Sequence, residues 1–349
     1  MTVSGATSAP PNSARPQALP TATSPNTPAR TPADAVHEFE LIERIIARLR
    51  DTACGDGVVL GPGDDAAVLE IPNGHQLVVS TDALVAGRHY PGGACADAIG
   101  YRSLAVATSD LAAMGATPAF ATVSLTAEDL TANWAEHYAS GLAAAARDFG
   151  IAIVGGNIAR GPESVTVTVH GHTPRGQAIA RSGGGPGDAL FVTGCLGGAG
   201  LALADENLGE WSLIALKEDS PVRRYWMPQP RLGLGIGLRD FATAAIDISD
   251  GLSSDLDHLC RASGVGCEVD LDALPLYPGA TALDALASGD DYELAFAAPP
   301  DAQGVIETLA RQHRVPITRI ATLRRDPRPG VAWTRNGMPV EVRPGYRHF

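Results

Sequence analysis

Five short acidic runs hold the side chains best able to do chemistry. They are Gly63-Asp64-Asp65, Ser80-Thr81-Asp82, the stretch from Asp110 to Gly115, Asp247-Ile248-Ser249-Asp250-Gly251, and Gly289-Asp290-Asp291-Tyr292-Glu293. A sixth polar run, Gly155-Gly156-Asn157, lacks a carboxylate. Taken singly, an Asp is a common turn or helix-cap residue, and Asp250 could simply cap a helix whose core face is Leu252, Leu256 and Leu259. Several such runs gathered at one end of a fold need another explanation. Two carboxylates about 4 Å apart repel by roughly 4 kcal/mol at an effective dielectric near 20, so a cluster requires cations. Carboxylate and hydroxyl oxygens are hard donors, suited to Mg2+ and not to zinc or copper.

The basic residues narrow that chemistry. Lys217, between Leu216 and Glu218, is the only lysine. A phosphate-binding loop ending in Lys-Ser or Lys-Thr is therefore impossible, and no His-Arg-Asp kinase loop is present. Phosphate would have to be held by metal ions and by arginines, for which Arg160 and Arg181 are candidates; a solvated surface charge is the plain alternative for each. The glycines from Gly194 to Gly200 lack a G-x-G-x-x-G dinucleotide signature. No twelve-residue calcium loop and no H-E-x-x-H pair occurs. His170 and His172 share one face of an expected strand, where packing explains them; His89 is the histidine closest to an acidic run. Cys54, Cys95, Cys195, Cys260 and Cys267 form no C-x-x-C pair, so reduced thiols are expected rather than a disulfide framework or a zinc ribbon.

Composition sets the remaining bounds. The 349 residues suggest about two domains, and 45% hydrophobic content can supply a core to each half. A formal net charge of −13 argues against binding nucleic acid or an acidic membrane surface. Anionic phosphates can still bind where metal ions sit between them. No apolar run approaches the roughly 20 residues of a membrane span. The charged-then-apolar order of a secretory signal is missing, so a cytoplasmic location is expected.

The elements that must position the acidic runs follow from periodicity. Residues 1–36 are rich in Pro, Ala, Ser and Thr and read as a disordered tail, because they cannot bury enough apolar surface to offset ordering entropy. Phe39, Ile42, Ile45, Ile46 and Leu49 make a helical stripe. Short strands are expected at 58–60, 66–69 and 77–80, a long Ala/Leu helix over 94–114, a strand at 119–125, a helix at 134–149, and strands at 151–154 and 165–169. The Gly-rich run 183–187 is the expected boundary between an N-terminal α/β domain, 37–182, and a C-terminal α/β domain, 183–349. The second half reads as strand 189–193, a Gly-rich turn into a helix, strand 245–248, helix 252–262, strands 268–271 and 292–297, and an Asn336-Gly337 hairpin. Nearly all the acidic runs then fall at strand ends or helix starts. The fold class is mixed α/β in two halves of similar size.

With these residues the sequence resembles the thiamine-monophosphate kinases, of the aminoimidazole-ribonucleotide-synthetase-like superfamily, from His37 to Tyr346. The shared motifs are G-P-G-D-D-A-A-V from Gly61, S-T-D-A-L-V-A-G-R-H-Y from Ser80, S-D-L-A-A-M-G-A from Ser109, D-I-S-D-G-L-S-S-D from Asp247 and S-G-D-D-Y-E-L from Ser288. Their order and spacing are specific where any one alone is not. The resemblance implies a two-domain fold, a homodimer through the N-terminal sheets, and transfer of the ATP γ-phosphate to thiamine monophosphate, giving thiamine diphosphate. It implies several Mg2+ ions at Asp65, Ser80, Thr81, Asp82, Asp110, Asn157, Asp247 and Asp250. It implies nucleotide contacts at Gly156, Asn157, Arg181 and Ser249, and acceptor contacts at His89, Asp290 and Tyr346. Asn157 is a departure, since the family pattern has Asp there; a weaker Mg2+ site is the expected consequence. The tail 1–36 has no counterpart. Two other readings stay open. One is a different ATP-using enzyme of the superfamily, although the selenophosphate type would need an N-terminal Cys and Lys, and the hydrogenase-maturation type a C-terminal Cys. The other is a non-catalytic magnesium- or nucleotide-binding protein.

Overall fold

The structure, a computed structural model, describes residues 38–342 and 345–346. The expected tail 1–36 lies outside the described residues.

Helix α1 (Glu38–Leu49) spans the apolar stripe read from the sequence. A small antiparallel ribbon, β1 (Val58–Leu60) and β2 (Val68–Leu69), follows it. The first half is then organised by a four-stranded sheet. Its strands are β3 (His75–Val85), β4 (Thr117–Ala127), β5 (Ala152–Arg160) and β6 (Ser164–Pro174), and their order is β3-β6-β4-β5. Helices α2 (Ala96–Ala113) and α3 (Ala132–Phe149) cover one face. The strands alternate accordingly: along β6, Val165, Val167 and Val169 are buried while Thr166, Thr168, His170 and His172 face the other way.

Two strands run further than their apolar cores suggest. β3 extends to Val85, so Asp82 sits inside a strand and not at its end, and β5 continues through Gly155-Gly156-Asn157. The cause is pairing: β3 is in register with β6 from His75–Pro174 to Val85–Ser164, and β5 runs parallel to β4 as far as Arg160. Backbone hydrogen bonds to a neighbour carry polar residues into strands that local propensity would end.

The second half contains β7 (Ala189–Thr193), α4 (Gly198–Ala202), α5 (Pro221–Trp226), α6 (Leu232–Leu238), β8 (Ala244–Asp247), α7 (Leu252–Ser263) and β9 (Gly266–Asp270). It continues with α8 (Ala282–Ala287), β10 (Leu294–Ala298), α9 (Gln303–His313), β11 (Ile317–Thr322), β12 (Gly330–Arg335) and β13 (Met338–Pro339). A sheet ordered β11-β7-β10-β8 and a smaller one ordered β13-β12-β9 build it. Every residue of β7, β8 and β10 is buried, as expected of strands covered on both faces. Ala112 and Ala113 of α2 pack with Leu234, Leu238 and Phe296 of the second half, so α2 serves both halves. None of the described helices is long and apolar enough to cross a membrane.

Candidate active site

Helix α2 is the spine of the site. Sixteen of its eighteen residues are buried, yet Arg102, Val106 and Asp110, four residues apart and so on one face, line a cavity of about 520 Å3. Asp82 reaches the same cavity from β3, Asp247 from the end of β8, and Ser249 and Asp250 from the turn before α7. Ser80 points to the side of the sheet that Asp82 occupies, two residues on, and its hydroxyl donates to Asp110 Oδ2. His89, Asp290, Tyr292 and Tyr346 line the same cavity.

Electrostatics separate the carboxylates. Burial pushes the Asp82 carboxyl up to about 6, and Asp110 and Asp250 add to the rise. Burial also holds Asp247 well above the usual carboxylate range, reinforced by Asp110, Asp255 and Asp82 and opposed by the neighbouring Ser109 hydroxyl. No ion pair neutralises Asp82, Asp110, Asp247 or Asp250 among the described residues. Such a set binds protons or metal cations. No three His, Cys, Asp or Glu side chains among the described residues already meet in a closed metal cage. The donors are all hard oxygens, so the residues present fit Mg2+.

The structure divides the residues singled out from the sequence. Ser80, Asp82, Asp110, Asp247, Ser249 and Asp250 gather in the cavity, and His89, Asp290 and Tyr346 line it with them, the Asp290 and Tyr346 N–H groups donating to the Ser249 and Asp250 carbonyls. Thr81 turns to the open side of the sheet, where its hydroxyl meets that of Thr168 at 2.9 Å. Asn157 lies on that same open side, because Ala83, Thr166, Ser124 and Asn157 are successive cross-strand partners. β5 and β3 are opposite edges of the sheet, about 14 Å apart at ~4.8 Å per strand spacing. Gly156 lies against β4 so closely that a Cβ there would come within 2.2 Å of the Val123 carbonyl oxygen. Asp65 is exposed in the β1–β2 loop, and its N–H donates to Asp64 Oδ1. Arg181 is exposed, with its carbonyl accepting from Ser263. Neither Asp65, Asn157 nor Arg181 lines the cavity.

Three supporting residues were not read from the sequence. Asp255 is buried and its Oδ2 accepts the N–H groups of Ser249 and Asp250 at 3.1 Å each, shaping the turn that carries them. Burial and Asp250 push its carboxyl up to about 7 against the pull of those donors. It is the last residue of the D-I-S-D-G-L-S-S-D run, so a signal existed. Arg102 is wholly buried and donates to Asp290 Oδ1 at 2.6 Å. Tyr292 donates to the same oxygen at 3.0 Å. His89 is anchored where Nδ1 accepts from the Val85 N–H at 2.9 Å, and its ring meets that of Tyr346 edge-on at 6.3 Å.

Comparison with known proteins fits this geometry. The N-terminal domain model of AIR synthase related proteins matches residues 63–173, and the C-terminal domain model matches 185–334. A thiamine-monophosphate kinase of Salmonella typhimurium is 40% identical over 328 residues, covering 90% of this chain and 99% of the relative. The chain belongs to the AIR synthase related family, among its thiamine-monophosphate kinases. The solved thiamine-monophosphate kinase of Stenotrophomonas maltophilia superposes with a TM-score of 0.75 at 40% identity, over 87% of this chain and 98% of that one. A second member of the family, AaThiL complexed with AMPPCP and TMP, superposes with a TM-score of 0.66 at 30% identity, over 89% and 97%.

Proposed function

We propose that the cavity brings ATP and thiamine monophosphate together and that the γ-phosphoryl group passes directly from one to the other, yielding thiamine diphosphate and ADP. The observation that carries this reading is the convergence of Asp82, Asp110 and Asp247, from three separate elements, in one cavity with His89, Asp290 and Tyr346. A family member's complex with AMPPCP, an ATP analogue, and TMP supports it.

Phosphoryl transfer has a loose transition state with charge spread over the equatorial oxygens, so positioning and electrostatics do most of the work. The acceptor phosphate is already anionic near neutral pH, and no strong general base is needed. Asp82, Asp110, Asp247 and Asp250, with the Ser80 hydroxyl, would hold Mg2+, which when bound offsets the negative charge of both reactants. Asp255 keeps the Ser249–Asp250 turn in place, and Asp290 with the His89 and Tyr346 rings receives the heterocyclic end of the acceptor. In-line attack forms the new P–O bond as the γ-phosphorus bond to the ADP oxygen breaks. Release of ADP that depends on thiamine monophosphate tests the assignment. ADP release indifferent to the acceptor, or a phosphorylated protein intermediate, would refute it.

The remaining assignments complete the proposal: Asp65, Thr81 and Asn157 as further metal-site residues, and Gly156, Arg181 and Ser249 as nucleotide contacts. So do the domain division at 183–187, a cytoplasmic location, and a second copy of this chain on the open face of the β3-β6-β4-β5 sheet. That face presents Leu77, Val79, Thr81, Thr166, Thr168 and Asn157, and the strand positions on it hold no Asp, Glu, Lys or Arg. Leu77 and Val79 are half exposed there, a pattern that marks a contact surface. A second copy seated on it covers the apolar side chains and takes Thr81 and Asn157 into a shared interface. Light scattering on wild type and Val79→Asp checks this: a dimer that becomes a monomer is expected, and a wild-type monomer refutes it.

A further inference from the structure

Asp290 occupies an awkward place. It lies in the loop between α8 and β10 with φ +61, and Gly289 and Tyr292 beside it also have positive φ, at 67 and 49. A non-glycine residue in this region is held there by its surroundings. The backbone is pinned by hydrogen bonds from the Asp290 N–H to the Ser249 carbonyl and from the Tyr292 N–H to the Ile248 carbonyl, 2.8 Å each. The side chain is pinned separately, its Oδ1 accepting from both Arg102 and Tyr292. Its Oδ2 has no hydrogen bond among the described residues.

Arg102 is an unusual choice if stability were its purpose. Only 1% of its side chain is exposed, and its Nε is buried without a hydrogen-bond partner. Replacing a buried ion pair by apolar groups is often neutral or stabilising, so such a pair is weak evidence of a stabilising role. Its geometry is nonetheless over-determined. One Nη donates to the Tyr225 carbonyl, the guanidinium lies 3.9 Å from the centre of the Tyr225 ring, and the other Nη holds Asp290. These contacts tie α2, α5 and the 289–293 loop together at one point. Arg102 also stands two helical turns, about 12 Å along the axis, from Asp110 on the same face of α2.

We infer that Arg102 is a positioning residue for acceptor specificity: it fixes the Asp290 carboxylate in the cavity, and α2, which carries both Arg102 and Asp110, thereby places acceptor recognition relative to the phosphate-handling carboxylates. The inference rests on reading Asp290 as an acceptor contact. With Oδ1 engaged by two donors, Oδ2 is left to meet a cationic or N–H-bearing heterocycle. Without Arg102, repulsion from the uncompensated carboxylates in the same cavity drives Asp290 outward, where it is already 24% exposed and can be hydrated.

Steady-state kinetics on the full chain test this with Arg102→Met, Asp290→Asn, Tyr292→Phe and the double variants that include Asp290→Asn. Arg102→Met is expected to raise KM for thiamine monophosphate about tenfold or more while KM for ATP changes by less than about twofold. Tyr292→Phe, which removes one hydroxyl, raises the acceptor KM by a few-fold only. Because Arg102 and Tyr292 act through Asp290, each double variant should be no worse than Asp290→Asn alone, and Arg102→Lys should recover part of the loss. Effects that multiply in the double variants, or an Arg102→Met loss confined to kcat and shared by both substrates, would overturn the inference. If Arg102→Met does not fold, the Tyr292–Asp290 cycle tests the same coupling, and multiplying effects there overturn the inference equally. An Asp290→Asn variant with an unchanged acceptor KM would instead sink the assignment of Asp290 itself.

Discussion

The carboxylates of the Asp82–Asp110–Asp247–Asp250 group and those of the 289–293 loop differ in one respect. Asp82, Asp110, Asp247 and Asp250 face one another with no arginine partner among the described residues, and burial pushes Asp82 and Asp247 upward. Asp290 and its neighbour Glu293 are compensated. Asp290 has Arg102, and the fully buried Glu293 accepts from both Nε and Nη2 of Arg231 and from the Thr193 hydroxyl. Compensated carboxylates are fixed in place before any ligand arrives. Uncompensated ones store repulsion that a divalent cation relieves. Burial alone does not distinguish a ligand site from a structural one, since Asp255 is buried and only shapes a turn; Asp82, Asp110, Asp247 and Asp250 stand apart because they face one another in the cavity without a counter-charge.

The largest expected effect lies on the uncompensated side. Asp82→Asn and Asp247→Asn should keep their circular dichroism yet lose turnover by about a thousandfold or more, since each removes a charge placed for cation and phosphate chemistry. Near-normal turnover in both would erase the distinction.

At Glu293 the expected damage is to stability. Arg231→Met removes the two-pronged partner of Glu293, which is 1% exposed, leaving only Arg224 at 3.9 Å, and a loss of up to about 3–5 kcal/mol in denaturant unfolding is expected. A change below about 1 kcal/mol would mean that Arg224 takes over as counter-charge and that Arg231 is dispensable to it.

Acidity sharpens the contrast further. Burial, acting with neighbouring carboxylates, pushes Asp82 up to about 6 and Asp255 and Asp291 up to about 7. A carboxyl whose folded value is raised holds its proton longer in the native state than in the unfolded one. Its stabilising contribution is therefore complete at low pH and is lost as pH rises through the folded value. In chelator, the melting temperature should climb as pH falls from about 8 to about 6. Below that window His170 and His172, depressed by burial, oppose the trend as they take up protons. Saturating Mg2+ should flatten the slope. A slope unchanged by Mg2+ would detach Asp82 from the cation site.

The smallest effect is expected at Asn157. Asn157→Asp restores a charge and should lower the Mg2+ concentration for half-maximal activity by a few-fold. An unchanged magnesium requirement would mean that this position never meets the metal.

Much of this protein was legible before its fold. The hard-oxygen inventory, the single lysine and the ordered acidic motifs are local properties of the chain, and they pointed to cation-mediated phosphate chemistry. The apolar run at 165–169 marked a strand, which β6 contains. What local sequence could not carry was the face on which each residue lands. Ser80 and Asp82 join the cavity while Thr81, between them, turns away, because strand parity is set by pairing with β6 across some ninety residues of chain. Asn157 parts from Asp82 because strand order, decided by non-local hydrogen bonding, puts β5 and β3 at opposite edges. Arg102 was invisible for a related reason. Within an Ala/Leu-rich helix it resembles any other charge on a solvated face, and only the packing of α5 and the 289–293 loop around it makes it buried, paired and useful.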